Sequence, residues 1–398
     1  MNAALIERLI CPYCRGDGLS LHVLEREPCA GDGAAGGDEV LAGLISCGGC
    51  GRFYRIDGGV PSFIFAGDGG WLEPYLARRG GELEGRLDRS LPRDDALDAV
   101  LADGDFWARF YRQAMERGYF NFLDARQPLA PLYLHGVVET LHFSGPGGRF
   151  DYEHQPFLKE VLRRVAGGPG GLPAGSRTLE IGCGSGWLCL ELARRGLRPL
   201  GLDTGFQALV LARLYARQQG LDIDYVHADG GRLPFAPGSF DGLVGFQALH
   251  HIPRLLETAR DLQRILVPGA LTVIFEHRAE RPERLKRFAE KLNTWLFLKV
   301  AGRHKIHPTY PASESENEDC SLHLVDEMMS LFPARRRKRY FLFLQDLPGF
   351  AYLLLGRRRQ AFTATAALVN TVDRLLALAW PSRCEHVLEV GVNRGEEA

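Results

Sequence analysis

The stretch Thr178-Leu179-Glu180-Ile181-Gly182-Cys183-Gly184-Ser185-Gly186-Trp187 decides the fold. Thr178 to Ile181 read as a short buried strand, the following Gly-x-Gly-x-Gly run is a tight turn, and residues 188–195 show the apolar spacing of a helix. Glycines let the backbone approach a ligand closely, and a helix that begins directly after such a turn offers its free amides to that ligand. In the dinucleotide fingerprint G-x-G-x-x-G the third glycine comes one residue later. That difference, with an acidic residue just before the turn, counts against a nicotinamide cofactor.

Outward from the turn the same grammar repeats. Residues 199–203 form a second apolar run ending in the carboxylate of Asp203, whose acceptor-only oxygens suit a diol. His227-Ala228-Asp229, residues 239–252 and residues 262–276 add further strand ends, loops and one helix-turn-strand unit. From 177 to about 279, short apolar runs alternate with amphipathic segments, which predicts an α/β domain with a mainly parallel sheet. The late runs 339–344 and 386–392 are expected to close that sheet as an antiparallel pair.

These five segments, in this order, resemble the class I S-adenosylmethionine-dependent methyltransferases, whose sheet is Rossmann-like and seven-stranded. The resemblance implies that Glu180, Gly182, Gly184 and Gly186 hold the methionine end and ribose of the cofactor. It further implies that Asp203 takes the ribose hydroxyls, that Asp229 pairs with the adenine amino group and that Gln247 lines the pocket. Tyr152, in the segment before the glycine-rich stretch 167–175, is a candidate lid residue, with core packing as its competing reading. The run Leu249-His250-His251-Ile252 is similar to the branch that includes quinone-biosynthesis and natural-product methyltransferases.

Methyl transfer to a hydroxyl needs the acceptor positioned and its proton removed. His250 and His251 are candidate general bases, because imidazole titrates near neutrality. Their alternative is a packed helix start. Glu276 and His277, at the end of the fifth strand where ligand crevices form, are a second candidate pair. Gly245-Phe246-Gln247-Ala248 lacks the acidic or Asn residue and Pro-Pro-aromatic of enzymes that methylate nucleobase amines. The absence of Pro-Cys there argues against a covalent cysteine adduct.

Near the start, Cys11-Pro12-Tyr13-Cys14 and Cys47-Gly48-Gly49-Cys50 form two C-x-x-C knuckles, a set of four soft ligands suited to tetrahedral Zn²⁺. Such a closed site is structural, and Cys29, in the glycine-rich insert 27–38, is read as a bystander. The segment 5–66 resembles the zinc-ribbon adaptor domain of tRNA and release-factor methyltransferases. It is expected to fold apart from the cofactor loop, so that Cys14→Ser would melt the ribbon and leave cofactor binding intact.

The chain has 398 residues, 48 basic and 49 acidic, and a net charge of −1. That balance removes the global basic field of a protein that coats nucleic acid. Three regions are expected: a ribbon at 1–70, a helical linker or lid at 71–166, and a methyltransferase domain at 167–398 with a helical acceptor-side insert at about 280–382. No signal peptide or membrane span is read, and nine cysteines without a secretory signal fit a reducing, cytoplasmic setting. The basic runs 335–339 and 357–359 are read as solvated turns, with contact to anionic lipid or RNA as the alternative. The expected function is methylation of an oxygen on a small metabolite, glycan or lipid-linked intermediate. The rivals are an RNA methyltransferase that uses its ribbon for recognition and a non-catalytic cofactor-binding or adaptor protein.

Overall fold

The computed structural model describes residues 1–27, 39–64, 156–184, 186–249, 252, 255–277, 295, 322–332, 334–340, 359–381 and 386–393. Residues 1–64 build a four-stranded antiparallel sheet in the order β1 (Leu19–Glu27), β2 (Glu39–Cys47), β3 (Phe53–Asp57) and β4 (Val60–Pro61), preceded by a 3₁₀ turn at Ala3–Arg8. The knuckle cysteines lie at the turns of this ribbon, and Tyr54 and Ile56 fill its interior.

The remaining strands form a seven-stranded sheet, as the alternating pattern predicts. Its strands are β5 (Arg177–Ile181), β6 (Arg198–Asp203), β7 (Asp224–His227), β8 (Phe240–Phe246), β9 (Leu266–His277), β10 (Ala334–Tyr340) and β11 (His386–Val392), in the order β10-β11-β9-β8-β5-β6-β7. Only β11 runs against its neighbours. The helices are α1 (Pro156–Val165), α2 (Trp187–Arg194), α3 (Phe206–Gln218), α4 (Leu255–Ile265), α5 (Leu322–Leu331) and α6 (Arg359–Ala379). Alternate strand residues feed opposite layers, as the two-residue period of a strand requires. Leu243 packs toward α4 and the ribbon, whereas Val244 joins Val161, Leu188 and Phe275 on the other face. The chain order switches direction between β5 and β8, so the carboxyl ends of β5, β6 and β8 open onto one crevice.

Two expectations need correcting. The closing strand is the basic run itself, Ala334–Tyr340, and not a segment beginning at Arg339. Its alternate residues reach opposite layers: Arg337 pairs with Asp326 of α5 and with Glu389 of β11, and Lys338 pairs with Glu160 of α1. The run is therefore an ion-paired edge strand and not a solvated turn. Val267-Pro268-Gly269 likewise lies within β9, where a register shift against β8 accommodates it.

The ribbon also does not stand apart from the sheet. Leu9 bridges Phe235, Ser62 bridges His227 at the free edge of β7, and the amides of Ile10 and Phe63 donate to the carbonyls of Pro234 and His227 at 3.1 and 2.7 Å. Arg213 of α3, 2% exposed, pairs with Glu27 and Glu39 of the ribbon. Leu5, Leu9 and Phe63 are buried in the same core as Leu179 and Val226, a gain of about 1.5–3 kcal/mol for each large apolar side chain. No helix among the described residues is long and apolar enough to cross a membrane.

Candidate functional site

The glycine turn has the left-handed geometry its residues allow: φ is 68° at Gly182, 51° at Gly184 and 70° at Gly186. Two of these glycines are also fixed by packing. A Cβ on Gly182 would collide with Ala248, and one on Gly186 would meet the Tyr225 hydroxyl at 2.5 Å. The turn is tied to β6 because the amides of Gly182 and Cys183 both donate to the Leu202 carbonyl, at 2.8 and 3.0 Å. Asp203 follows at once. Its Oδ2 accepts the Gly184 amide and its Oδ1 the Gly205 amide, each at 2.8 Å, so the carboxylate is locked between the glycine turn and the start of α3.

Among the described residues, two buried carboxylate oxygens nearby find no hydrogen-bond partner, Glu180 Oε2 and Asp229 Oδ2. An orphaned buried acceptor costs about 1–3 kcal/mol, which a ligand donor would recover. Burial pushes the Glu180 carboxyl up to about 8, against the bonds it receives from the Cys189 thiol and amide, so it is mostly protonated at neutral pH. A cationic group placed beside it would restore the carboxylate. Asp229 turns its other oxygen to the Gly231 amide at 3.0 Å. Together with half-buried Asp203, these acids line the carboxyl ends of β5, β6 and β7.

The loop after β8 forms the opposite wall. Gln247 sits at φ 51°, an uncommon angle for a residue with a side chain, and its amide donates to the Phe275 carbonyl at 2.7 Å. Glu276, fully buried, accepts the amides of Ala248 and Leu249 on one oxygen at 2.8 and 2.6 Å. Its carboxylate thus ties down the loop that presses Ala248 onto Gly182. Tyr152, His250 and His251 lie outside the described residues, as does the side chain of His277, whose backbone ends β9. Aromatic packing that the sequence reading missed completes the wall: Trp187 meets Phe246 edge-on at 5.2 Å, and Phe246 stacks on Phe275 at 5.0 Å. Trp187 directly after Gly186 was the available signal.

Residues 179–274 match the family described as a methyltransferase domain. Among curated relatives, the chain is 34% identical over 139 residues to a ubiquinone biosynthesis O-methyltransferase of Ruegeria pomeroyi, covering 35% of this chain and 55% of that protein. A protein of the same name from Nitrosococcus oceani is 39% identical over 97 residues, covering 24% and 41%. A sterol 24-C-methyltransferase of Gibberella zeae is 27% identical over 192 residues, 46% of each chain. The chain therefore spans about half the length of the curated relatives it matches. Among solved structures, a putative sarcosine dimethylglycine methyltransferase from Galdieria sulphuraria aligns at 14% identity and a TM-score of 0.39, covering 70% of this chain and 97% of that one.

Beside the seven-stranded sheet, the ribbon gathers its cysteines as the spacing predicts. The sulfurs of Cys11, Cys14, Cys47 and Cys50 all lie within 4.8 Å of one another, bracketing the roughly 3.8 Å edge of a tetrahedron with 2.3 Å Zn–S bonds. The two knuckles are near copies. In each, the amide after the second cysteine donates back to the first cysteine's carbonyl at 2.9 Å, from Arg15 at φ 60° and Gly51 at φ 70°. Without a metal, burial pushes the Cys11 and Cys47 thiols up, Cys47 to about 12, whereas at Cys50 burial is outweighed by hydrogen bonds from the Arg52 amide and side chain, which bring it down to about 7, so the fit rests on the geometry of the four sulfurs. The site thus fits a soft divalent metal.

Proposed function

We propose that this protein is an S-adenosylmethionine-dependent methyltransferase acting on a hydroxyl of a small metabolite, with a structural zinc in its ribbon. The observation that carries the reading is the locked row of acids against the glycine turn, above all Asp203 bonded to Gly184. In this reading Glu180 and the turn hold the methionine end, Asp203 the ribose, and Asp229 and Gln247 the adenine side. S-adenosylmethionine supplies, when bound, an electrophilic methyl group on a sulfonium. The chain's own residues orient and exclude. Glu276 fixes the 247–249 loop, Trp187 and Phe246 shut water out of one wall, and the adjoining His250-His251 pair supplies the base for the acceptor's hydroxyl proton. The O-methyltransferase names of the matched relatives support oxygen as the acceptor atom, and the chain's charge balance disfavours RNA.

Asp203→Ala should weaken S-adenosylmethionine binding about 10- to 150-fold by calorimetry, the worth of hydrogen bonds to a charged group. Methyl-labelled S-adenosylmethionine incubated with a cell extract should label the small-molecule fraction, and the variant should abolish that label. Binding of NADH without S-adenosylmethionine would refute the cofactor assignment, and label confined to RNA would refute the acceptor class.

A further inference from the structure

His227, the last residue of β7, joins the ribbon to the cofactor turn. Its Nε2 lies 3.0 Å from the Thr204 carbonyl, which can only accept, so that nitrogen carries the proton. Its Nδ1 is then a bare acceptor, and it lies 2.7 Å from the hydroxyl of Ser62 in the ribbon. The imidazole is neutral and buried, and burial holds it down at about 3. Around it the two parts interlock. Ser62 and His227 are bridge partners, the Phe63 amide donates to the His227 carbonyl, and the Ala228 amide donates to the Asp203 carbonyl at 3.2 Å. The ring meets Phe206 edge-on at 5.4 Å, and the Arg55 guanidinium of the ribbon lies 4.8 Å over Phe206. Thr204 and Phe206 flank Gly205, the residue whose amide holds Asp203. Ribbon groups therefore grip the Asp203 turn on both sides.

We propose that the ribbon is a positioning element of the cofactor pocket: Ser62 orients His227, His227 holds the Thr204 carbonyl, and the turn carrying Asp203 keeps its shape only while the ribbon is docked. The inference rests on Asp203 binding the cofactor ribose, as argued above. It assigns His227 a positioning role and no contact with the ligand.

The test is calorimetric titration of the full chain with S-adenosylhomocysteine, with melting temperature and zinc content measured alongside. Ser62→Ala removes the 2.7 Å bond to His227, together with a longer 3.4 Å contact to the Ile64 carbonyl inside the ribbon, and should weaken binding about three- to tenfold at unchanged zinc content. His227→Phe keeps a ring but neither bond and should weaken binding further, whereas His227→Gln, whose amide can donate to Thr204, should recover part of the loss. Ser62→Ala and His227→Phe variants that melt earlier but bind like the wild type would overturn the proposal, leaving the contact as packing alone. If His227→Phe does not fold, Ser62→Ala decides. A wild-type protein that binds no S-adenosylhomocysteine would instead overturn the cofactor reading beneath it.

Discussion

The two ends of the seven-stranded sheet are finished in opposite ways. At β7 the free edge is covered by another piece of the chain, with backbone bridges at Ser62–His227 and an apolar seam beneath. Among the described residues β10 ends the other side of the sheet, and it carries exposed Arg336, Arg337, Lys338 and Arg339, a charge density that makes pairing with a second sheet costly. The covered end lies next to the carboxylate row, whereas three strands, β11, β9 and β8, separate the charged end from β5 and its glycine turn. Covering an edge also immobilises it, and Asp203, bonded to the Gly184 and Gly205 amides, lies at that covered end.

The comparison breaks most visibly if the cover is removed. Cys14→Ser, or removal of metal by a chelator, should unfold the ribbon, and because the ribbon is part of the core the melting temperature should fall by on the order of 10 °C or more. Elemental analysis should find one zinc per chain before the change and none after. S-adenosylhomocysteine affinity should fall with it, whereas a free-standing ribbon would leave it intact.

A smaller effect belongs to the middle of the sheet. Glu180 has a folded pKa of about 8, above its ordinary 4.5. Below pH 4.5 folded and unfolded chains both hold that proton, so the group costs nothing. Between 4.5 and 8 only the folded chain keeps it, so its contribution to stability declines as pH rises and levels off above 8. Glu180→Gln removes this titration, and its melting temperature at pH 9 should exceed that of the wild type by roughly 5 °C, the gap closing near pH 5. A gap independent of pH would mean that Glu180 is ionised in the fold.

The smallest effect should come from the charged end. Arg336→Ala removes an exposed side chain from the edge strand and should change stability by no more than about 0.5 kcal/mol in denaturant unfolding, with cofactor binding unchanged. A larger loss would show that Arg336 takes part in the ion pairing of its neighbours Arg337 and Lys338.

What the sequence made legible follows the same division. The glycine turn, Asp203 and Asp229 stand out because each sits at the end of a strand of short apolar residues, a signal contained within ten residues. The cysteine knuckles are equally local. Glu276 reads as a free carboxylate because the amides it holds lie 27 and 28 residues away, and His227 reads as part of a strand end because its partner Ser62 is 165 residues distant. The basic run 335–339 reads as a turn by charge alone. Its pairing with Glu389, Asp326 and Glu160 depends on three other elements.

The docking of the ribbon also has a consequence for synthesis. Ser62 leaves the ribosome 165 residues ahead of His227, an interval of roughly 8–33 s at typical elongation rates of about 5–20 residues per second. Throughout it, the underside formed by Leu5, Leu9 and Phe63 has no β7 to cover it. The nascent ribbon must hold its shape through its own cysteine knuckles and wait, so if those knuckles take the metal proposed above, its early capture would set whether the rest of the chain meets a finished docking partner or a sticky, unfolded one.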